Sequence, residues 1–564
     1  YAQASDRVRG DMASEDFDAL NDEMVRELFR LNPDAGTRFG MHDPYDGMLP
    51  HGGFRRVEDT SAHLTSWLRK AERIAASEEL DDDQQTSLEV LRMSEALQRF
   101  AVDDYPQGRM SPEAAEAPGG AMLLMLTRDY ATPEKKAEWA SSKVGEIPRY
   151  LEQFRTRFTP GRPVKHWTRM SIESAEGLPT FLEFLENHFK KDATARLAAD
   201  LSKNVARARE AVEEHIDWLK NLEERALPEF AMGPDNLAKL LKIRGFPLTP
   251  DQVLAFGEAS LKSLRAERAE TESRMAPGLG PGAAVAIMKD DTPASFDDAF
   301  AEAALEVERA KRFMVENDIA TVDYDAKLHI VETPSFMASA IPTAALEMAA
   351  PFEERQQGIL MLTRAYVEAL RDVYSRAAIA NLATHEAYPG HFHQGVVSNK
   401  KPWMHQLSLM LIEPDTMVPS WETQEGWAMY CEKMMMDRGF RSSLADRHAM
   451  LDFAIWRACR IIYDVRLARG ETSLEKAIRQ FMKETNSSRK VAQDDVFGFV
   501  KTPGYGLSYL TGRQMVFDLK ADLVKRLGGG FNEKRFHDLL ATNGNLPFHL
   551  ARRAVTRGLG LAHA

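Results

Sequence analysis

Cysteine is nearly absent from this chain: Cys431 and Cys459 are the only two in 564 residues. That is too few for a disulfide framework, and the pair lacks metal-ligand spacing, so both are expected as small buried hydrophobes. Long apolar runs are missing as well. The densest, Ala121-Met122-Leu123-Leu124-Met125-Leu126, falls far short of the roughly 18 residues of a membrane span, so no span is expected. There is no basic excess: a net charge of -13 at pH 7 argues against a nucleic-acid partner. Internal repeats, low-complexity tracts and phosphate loops are also lacking. Ala276-Pro277-Gly278-Leu279-Gly280-Pro281-Gly282 has no preceding strand, no Lys and no G-x-G-x-x-G, which makes it a linker.

What is present is helical pattern. Phe17, Leu20, Met24, Leu28 and Leu31 fall at three- and four-residue steps, and Asn32-Pro33-Asp34 ends that stripe. Gly40 to Arg55 reads as loop. Helical periodicity then runs from Asp59 to about Lys242, with a break expected at Pro118-Gly119-Gly120 among others. Thr249-Pro250-Asp251-Gln252 is a helix start with a capping Thr, Pro at the first position and Gln at the third. Lys327 to Glu332 is the best strand candidate, and a further helix is expected from near Phe352 through Leu362, Tyr366, Leu370 and Tyr374. That run would be a long post leading into Thr384-His385-Glu386-Ala387-Tyr388-Pro389-Gly390-His391-Phe392-His393-Gln394.

Three imidazoles and a carboxylate in so short a stretch suit zinc hydrolysis: neutral imidazoles bind zinc, and a neighbouring carboxylate can take a proton from water. In H-E-x-x-H the two His are four apart and share a helix face. Here His385 and His391 are six apart, which on a regular helix leaves them roughly 120° out of line. Pro389-Gly390 can break the ladder, and a bulge over Tyr388 to Gly390 would realign them. His393 is the alternative partner, roughly 80° from His385 on a straight helix.

The stretch resembles the signature of the bacterial "domain of unknown function 885" family, H-E-[AG]-Y-P-G-H followed by Gln. That family is similar to the gluzincin metallopeptidases, in which two His and a downstream Glu hold zinc. Gln424-Glu425-Gly426-Trp427-Ala428-Met429-Tyr430 resembles the family's E-G-W-A-x-Y. Pro503-Gly504-Tyr505-Gly506-Leu507-Ser508-Tyr509-Leu510-Thr511-Gly512-Arg513 resembles P-G-Q-x-x-x-Y-x-x-G, with Tyr505 where the family usually has Gln. The matches run from about Ala326 to the C-terminus.

The resemblance implies a mainly α fold: two helical lobes around a deep cleft, with a few short strands near the metal. It implies one integrated peptidase-like domain, whose lobes would be residues 1–285 and 286–564. His385, His391 and Glu425 would hold one Zn2+ per chain, Glu386 would be the general base, and Tyr509 would stabilise the oxyanion. Arg513, one helical turn past Tyr509, would bind a substrate carboxylate, with His393 and Tyr505 as further substrate contacts. Glu422 is the alternative third ligand. Arg457, Arg460, Asp464 and Arg466 read as an ion-pair network bracing the site. The expected function is zinc-dependent cleavage of short peptides, carboxypeptidase- or dipeptidase-like. The alternatives are a zinc hydrolase of a non-peptide amide and a metal-free helical binding protein. Many members of the resembled family are exported and Tyr1 is not an initiator Met, so a periplasmic or other exported location is expected over the cytoplasm.

Overall fold

The apolar stripe at the start of the chain forms one face of the helix Glu15–Leu31, whose first turn is capped by the Ser14 hydroxyl. In this computed structural model it packs that face on Leu64, Trp67, Leu88 and Leu91, from the helices Arg55–Ser77 and Asp82–Arg99. The structure describes residues 14–159, 161–279, 282–333, 341, 343–364, 374–401 and 420–561. These residues are mainly helical, as expected, with one three-stranded sheet. Both cysteines are buried and free. Among the described residues no helix is long and apolar enough to cross a membrane.

The chain falls into two compact units. Among the described residues the first covers 14–228 and is helical, its longest elements being Lys165–Phe189 and Ala195–Glu224. Pro118-Gly119-Gly120 does not break a helix here. It lies in the first turn of Glu116–Thr127, where the proline's missing amide has no intrahelical partner to lose. The second unit covers residues 229–401 and 420–564, and the stretch from Pro277 to Asp291 lies inside it. All of the motif residues belong to this unit.

Thr249 and Gln252 make the expected capping box on the helix Pro250–Met275, which packs along Leu444–Ala468. β1, Lys327–Glu332, forms where the sequence predicts it and is an edge strand. It pairs in parallel with the central strand β3, Gln357–Leu362, and β2, Ala344–Glu347, pairs antiparallel on the other side. β3 overturns the expected post. Its six residues are buried throughout, so they show no polar-apolar alternation, and a short apolar run is indistinguishable from buried helix by period. Tyr366 and Leu370 lie outside the described residues. The helix carrying His385 starts only at Arg376, capped by Ser375.

Two helices of this unit meet backbone to backbone. A Cβ on Gly426, in Glu422–Asp437, would overlap the Gly512 main chain; one on Gly512, in Ser508–Leu527, would overlap the Glu422 carbonyl. These glycines therefore set how closely the E-G-W and Y-x-x-G segments approach. Gly426→Ala is expected to destabilise the protein by about 1–3 kcal/mol, because two backbones must separate. Denaturant unfolding checks this, and an unchanged midpoint would show that the crossing is slack.

Candidate metal centre

The six-residue spacing of the two histidines is resolved by ending one helix and starting another. Arg376–Glu386 stops at Ala387, and His391–Ser398 begins after Gly390. The turn between them contains a cis Tyr388–Pro389 peptide. Gly390 is required there for space: a Cβ would overlap the carbonyls of Thr384 and His385. The restart brings the His385 and His391 rings together edge-on, centroids 4.8 Å apart and planes at 89°. This is a full break in the helix, and a bulge in a continuous one does not occur. The Trp427 indole N–H donates to the Pro389 carbonyl at 2.8 Å, which ties the turn to the helix bearing Glu425.

His385, His391 and Glu425 each offer a ligand atom, all within 4.8 Å of one another. Glu425 Oε2 lies 3.3 Å from His391 Nε2 and 3.6 Å from His385 Nε2, yet it is buried with no hydrogen-bond partner. Its other oxygen, Oε1, accepts from the Tyr505 hydroxyl at 2.7 Å. Burial alone would raise the Glu425 pKa, but the two imidazoles hold it well below the usual carboxylate range. On the far side of His385, Nδ1 lies 2.6 Å from Glu432 Oε1. Burial pushes the His385 imidazole down, but Glu425 and Glu432 outweigh it and lift it to about 10. Two buried carboxylates thus converge on one imidazole, an arrangement that favours positive charge between them. Two imidazole nitrogens and a carboxylate oxygen with no donor form a set that suits zinc.

Glu422, the rival ligand, is elsewhere. It is buried against Arg244 and the Ser420 hydroxyl. His393 is outside the cluster too: it is fully buried, its Nε2 has no partner, and burial presses its pKa to about 3. Glu386 sits beside His385 at the helix end, half-buried and without a hydrogen bond among the described residues. Arg513 is half-buried and has no hydrogen bond or ion pair among them, and burial lowers its pKa.

Tyr505 and Tyr509 form a relay. Tyr505 spends its proton on Glu425, so at 2.7 Å the Tyr509 hydroxyl donates to Tyr505. Burial, first, and the Glu425 charge keep both phenols protonated. Tyr505 departs from the family pattern in residue but keeps a side chain that ends in a donor. The turn that carries it is fixed from two directions. Arg244 donates to the Gly504 carbonyl at 2.8 Å and to the Ser508 hydroxyl, and Asp464 accepts from the Gly504 and Gly506 amides at 2.8 and 2.9 Å. The expected bracing network is in fact separate pairs, since Arg460 bonds Asp495 and Arg466 bonds Glu258.

Glu432 was not among the sequence candidates. It lies seven residues after Glu425, two helical turns on, and that spacing is the signal that would have found it.

Residues 33–555 match the family described as bacterial proteins of unknown function, DUF885, and the chain belongs to that family. No curated protein matches it. The fold is shared with a candidate lipoprotein of unknown function from Shewanella oneidensis, at 18% identity and a TM-score of 0.74, covering 96% of this chain and 99% of that one. A candidate lipoprotein from Colwellia psychrerythraea matches at 17% identity and a TM-score of 0.81, covering 96% and 98%.

Two outcomes test the geometry. Glu432→Gln removes the charge behind His385 and is expected to weaken zinc binding about 10- to 100-fold, measured by competition with a chromophoric chelator. Unchanged affinity would assign Glu432 to packing alone. Asp464 gives a pH test. Burial, opposed by the Gly504 and Gly506 amides, lifts its pKa to about 7 from an unfolded value of about 4. Between these values the folded state binds more protons than the unfolded one, so stability from this group is full at low pH and lost as pH rises through about 7. Asp464→Asn is expected to flatten that part of the stability profile; an identical slope in the variant would contradict the assignment.

Proposed function

We propose that the protein is a zinc-dependent hydrolase of peptide bonds in short peptides, similar in its chemistry to the gluzincins. The observation that carries the reading is the buried, donor-less Glu425 Oε2 facing the Nε2 atoms of His385 and His391, next to the unengaged carboxylate of Glu386. One zinc ion held by His385, His391 and Glu425 would supply Lewis acidity, making water more acidic and polarising a carbonyl.

The chain's own groups do the rest. With zinc in place of the Nε2 proton, Glu432 would hold the remaining His385 proton on Nδ1. Tyr505 holds one oxygen of Glu425, so that only the other faces the imidazoles. Glu386 takes a proton from the attacking water and returns it to the departing amine as the C–N bond breaks, giving an acid and an amine. Tyr509, by turning its hydroxyl from Tyr505, donates to the oxyanion. Export is part of the reading, supported by the candidate lipoproteins that share the fold.

The test is hydrolysis of a mixed library of short peptides by the zinc-supplied protein and by Glu386→Gln. Discrete cleavage, lowered about 10²- to 10⁴-fold in the variant while zinc content stays the same, is expected. Zinc binding without cleavage of any peptide would overturn the peptidase assignment in favour of a non-peptide amide. Cleavage unaffected by Glu386→Gln would overturn the assignment of the base.

A further inference from the structure

The helix Leu444–Ala468 carries four arginines, and three have a carboxylate partner. Arg447 lies 3.6 Å from Glu267, Arg460 2.8 Å from Asp495 and Arg466 2.6 Å from Glu258. Arg457 has none among the described residues. It is half-buried, its Nε is buried without a hydrogen-bond partner, and its guanidinium rests over the rings of Phe453 and Tyr509, 5.0 and 5.5 Å from their centroids. Stacking on aromatic rings engages the faces of a guanidinium and leaves its in-plane donors available.

A second unpaired arginine stands nearby. Arg513 is one helical turn beyond Tyr509 on Ser508–Leu527, again with no ion pair among the described residues. Glu432 is a buried carboxylate whose charge reaches both cations. Neither is bonded to Glu432, whose near oxygen is taken by His385. Two partly desolvated guanidinium groups beside Tyr509 therefore have no bonded carboxylate among the described residues. A carboxylate supplies that charge with the two-pronged geometry a guanidinium accepts.

We infer that Arg457, together with Arg513, binds a carboxylate of the substrate next to Tyr509. This rests on the peptidase reading and narrows its substrates to peptides that are anionic at the end lying there. Arg457 would then be a specificity-determining residue, and its stacking on Tyr509 would couple correct seating of the substrate to the placement of the phenol.

The test compares three peptides on the full-length, zinc-supplied protein: Ala-Ala-Ala as free acid, the same peptide as C-terminal amide, and Ala-Ala-Glu as C-terminal amide. kcat/KM is measured for wild type, Arg457→Ala and Arg457→Lys. Binding of the same peptides is measured by calorimetry on Glu386→Gln protein, with and without Arg457→Ala, where turnover is not needed. Wild type is expected to prefer the free acid over the alanine amide by about 10- to 100-fold, the worth of a charged hydrogen-bonded pair. Arg457→Ala should abolish the preference, and Arg457→Lys should restore part of it, an effect that a purely structural arginine would not produce. If the glutamate amide matches the acid, the site accepts a C-terminal or a side-chain carboxylate; if it behaves like the alanine amide, only the C-terminal carboxylate is read, and both results uphold the site. Equal handling of all three peptides by wild type, or a preference that survives Arg457→Ala, overturns the inference. A binding preference lost in Arg457→Ala, with no hydrolysis of any peptide, upholds the carboxylate site and counts against the peptidase reading alone.

Discussion

A buried carboxylate must be compensated, and the second unit of this protein is organised around compensating one. Glu425 gives one oxygen to Tyr505 and turns the other, without a donor, toward two imidazoles. Burying that charge carries a penalty of several kcal/mol unless positive charge or donors meet it. The surroundings meet it in layers. Tyr509 supports Tyr505, Glu432 meets Nδ1 of His385 on its far side, and the two imidazoles close the remaining side. Each layer needs its backbone held to within a fraction of an ångström, which is the work of Arg244 and Asp464 on the tyrosine turn and of Trp427 on the histidine turn.

The three motifs are therefore three sides of one framework. In H-E-A-Y-P-G-H the glycine lets the second helix start directly against the carbonyls that end the first. In E-G-W-A-x-Y the glycine admits the Gly512 backbone and the tryptophan reaches the Pro389 carbonyl, while the tyrosine donates to a buried histidine. That histidine, His537, gives its Nδ1 proton to the Ile319 carbonyl, and burial lowers its pKa to about 4, so its Nε2 is free to accept. In the last motif the two glycine amides of the turn bond Asp464, Tyr505 donates to Glu425, and Tyr509 stands behind Tyr505. The residues between the chemical groups thus have positions to fill that other side chains would not.

Much of this was legible in the sequence, and the exceptions have physical causes. The mainly helical fold, β1 and the capping box at Thr249 follow from period and local hydrogen bonding, which a short window contains. The grouping of His385, His391 and Glu425 was legible because the motifs bring it with them, although the break at Gly390 is deeper than the expected bulge. β3 was misread because a strand buried on both faces carries no alternation. Glu422 and Glu425 share a helix face, and what separates their roles is Arg244, roughly 180 residues away in the chain, which no local pattern could place. Arg457 passed for a member of an ion-pair cluster because its helical spacing from Arg460 and Asp464 said nothing of which partners lay opposite.

Metal analysis of the chain tests most directly whether Glu425, His385 and His391 form the proposed zinc site. Elemental analysis with zinc K-edge absorption spectroscopy would be run on wild type and on Glu425→Ala. One zinc per chain with imidazole and carboxylate scattering, lost in the variant, is the expected result. A wild-type chain that takes up no zinc, or a variant that binds it equally well, would contradict the claim and return the three residues to a structural role.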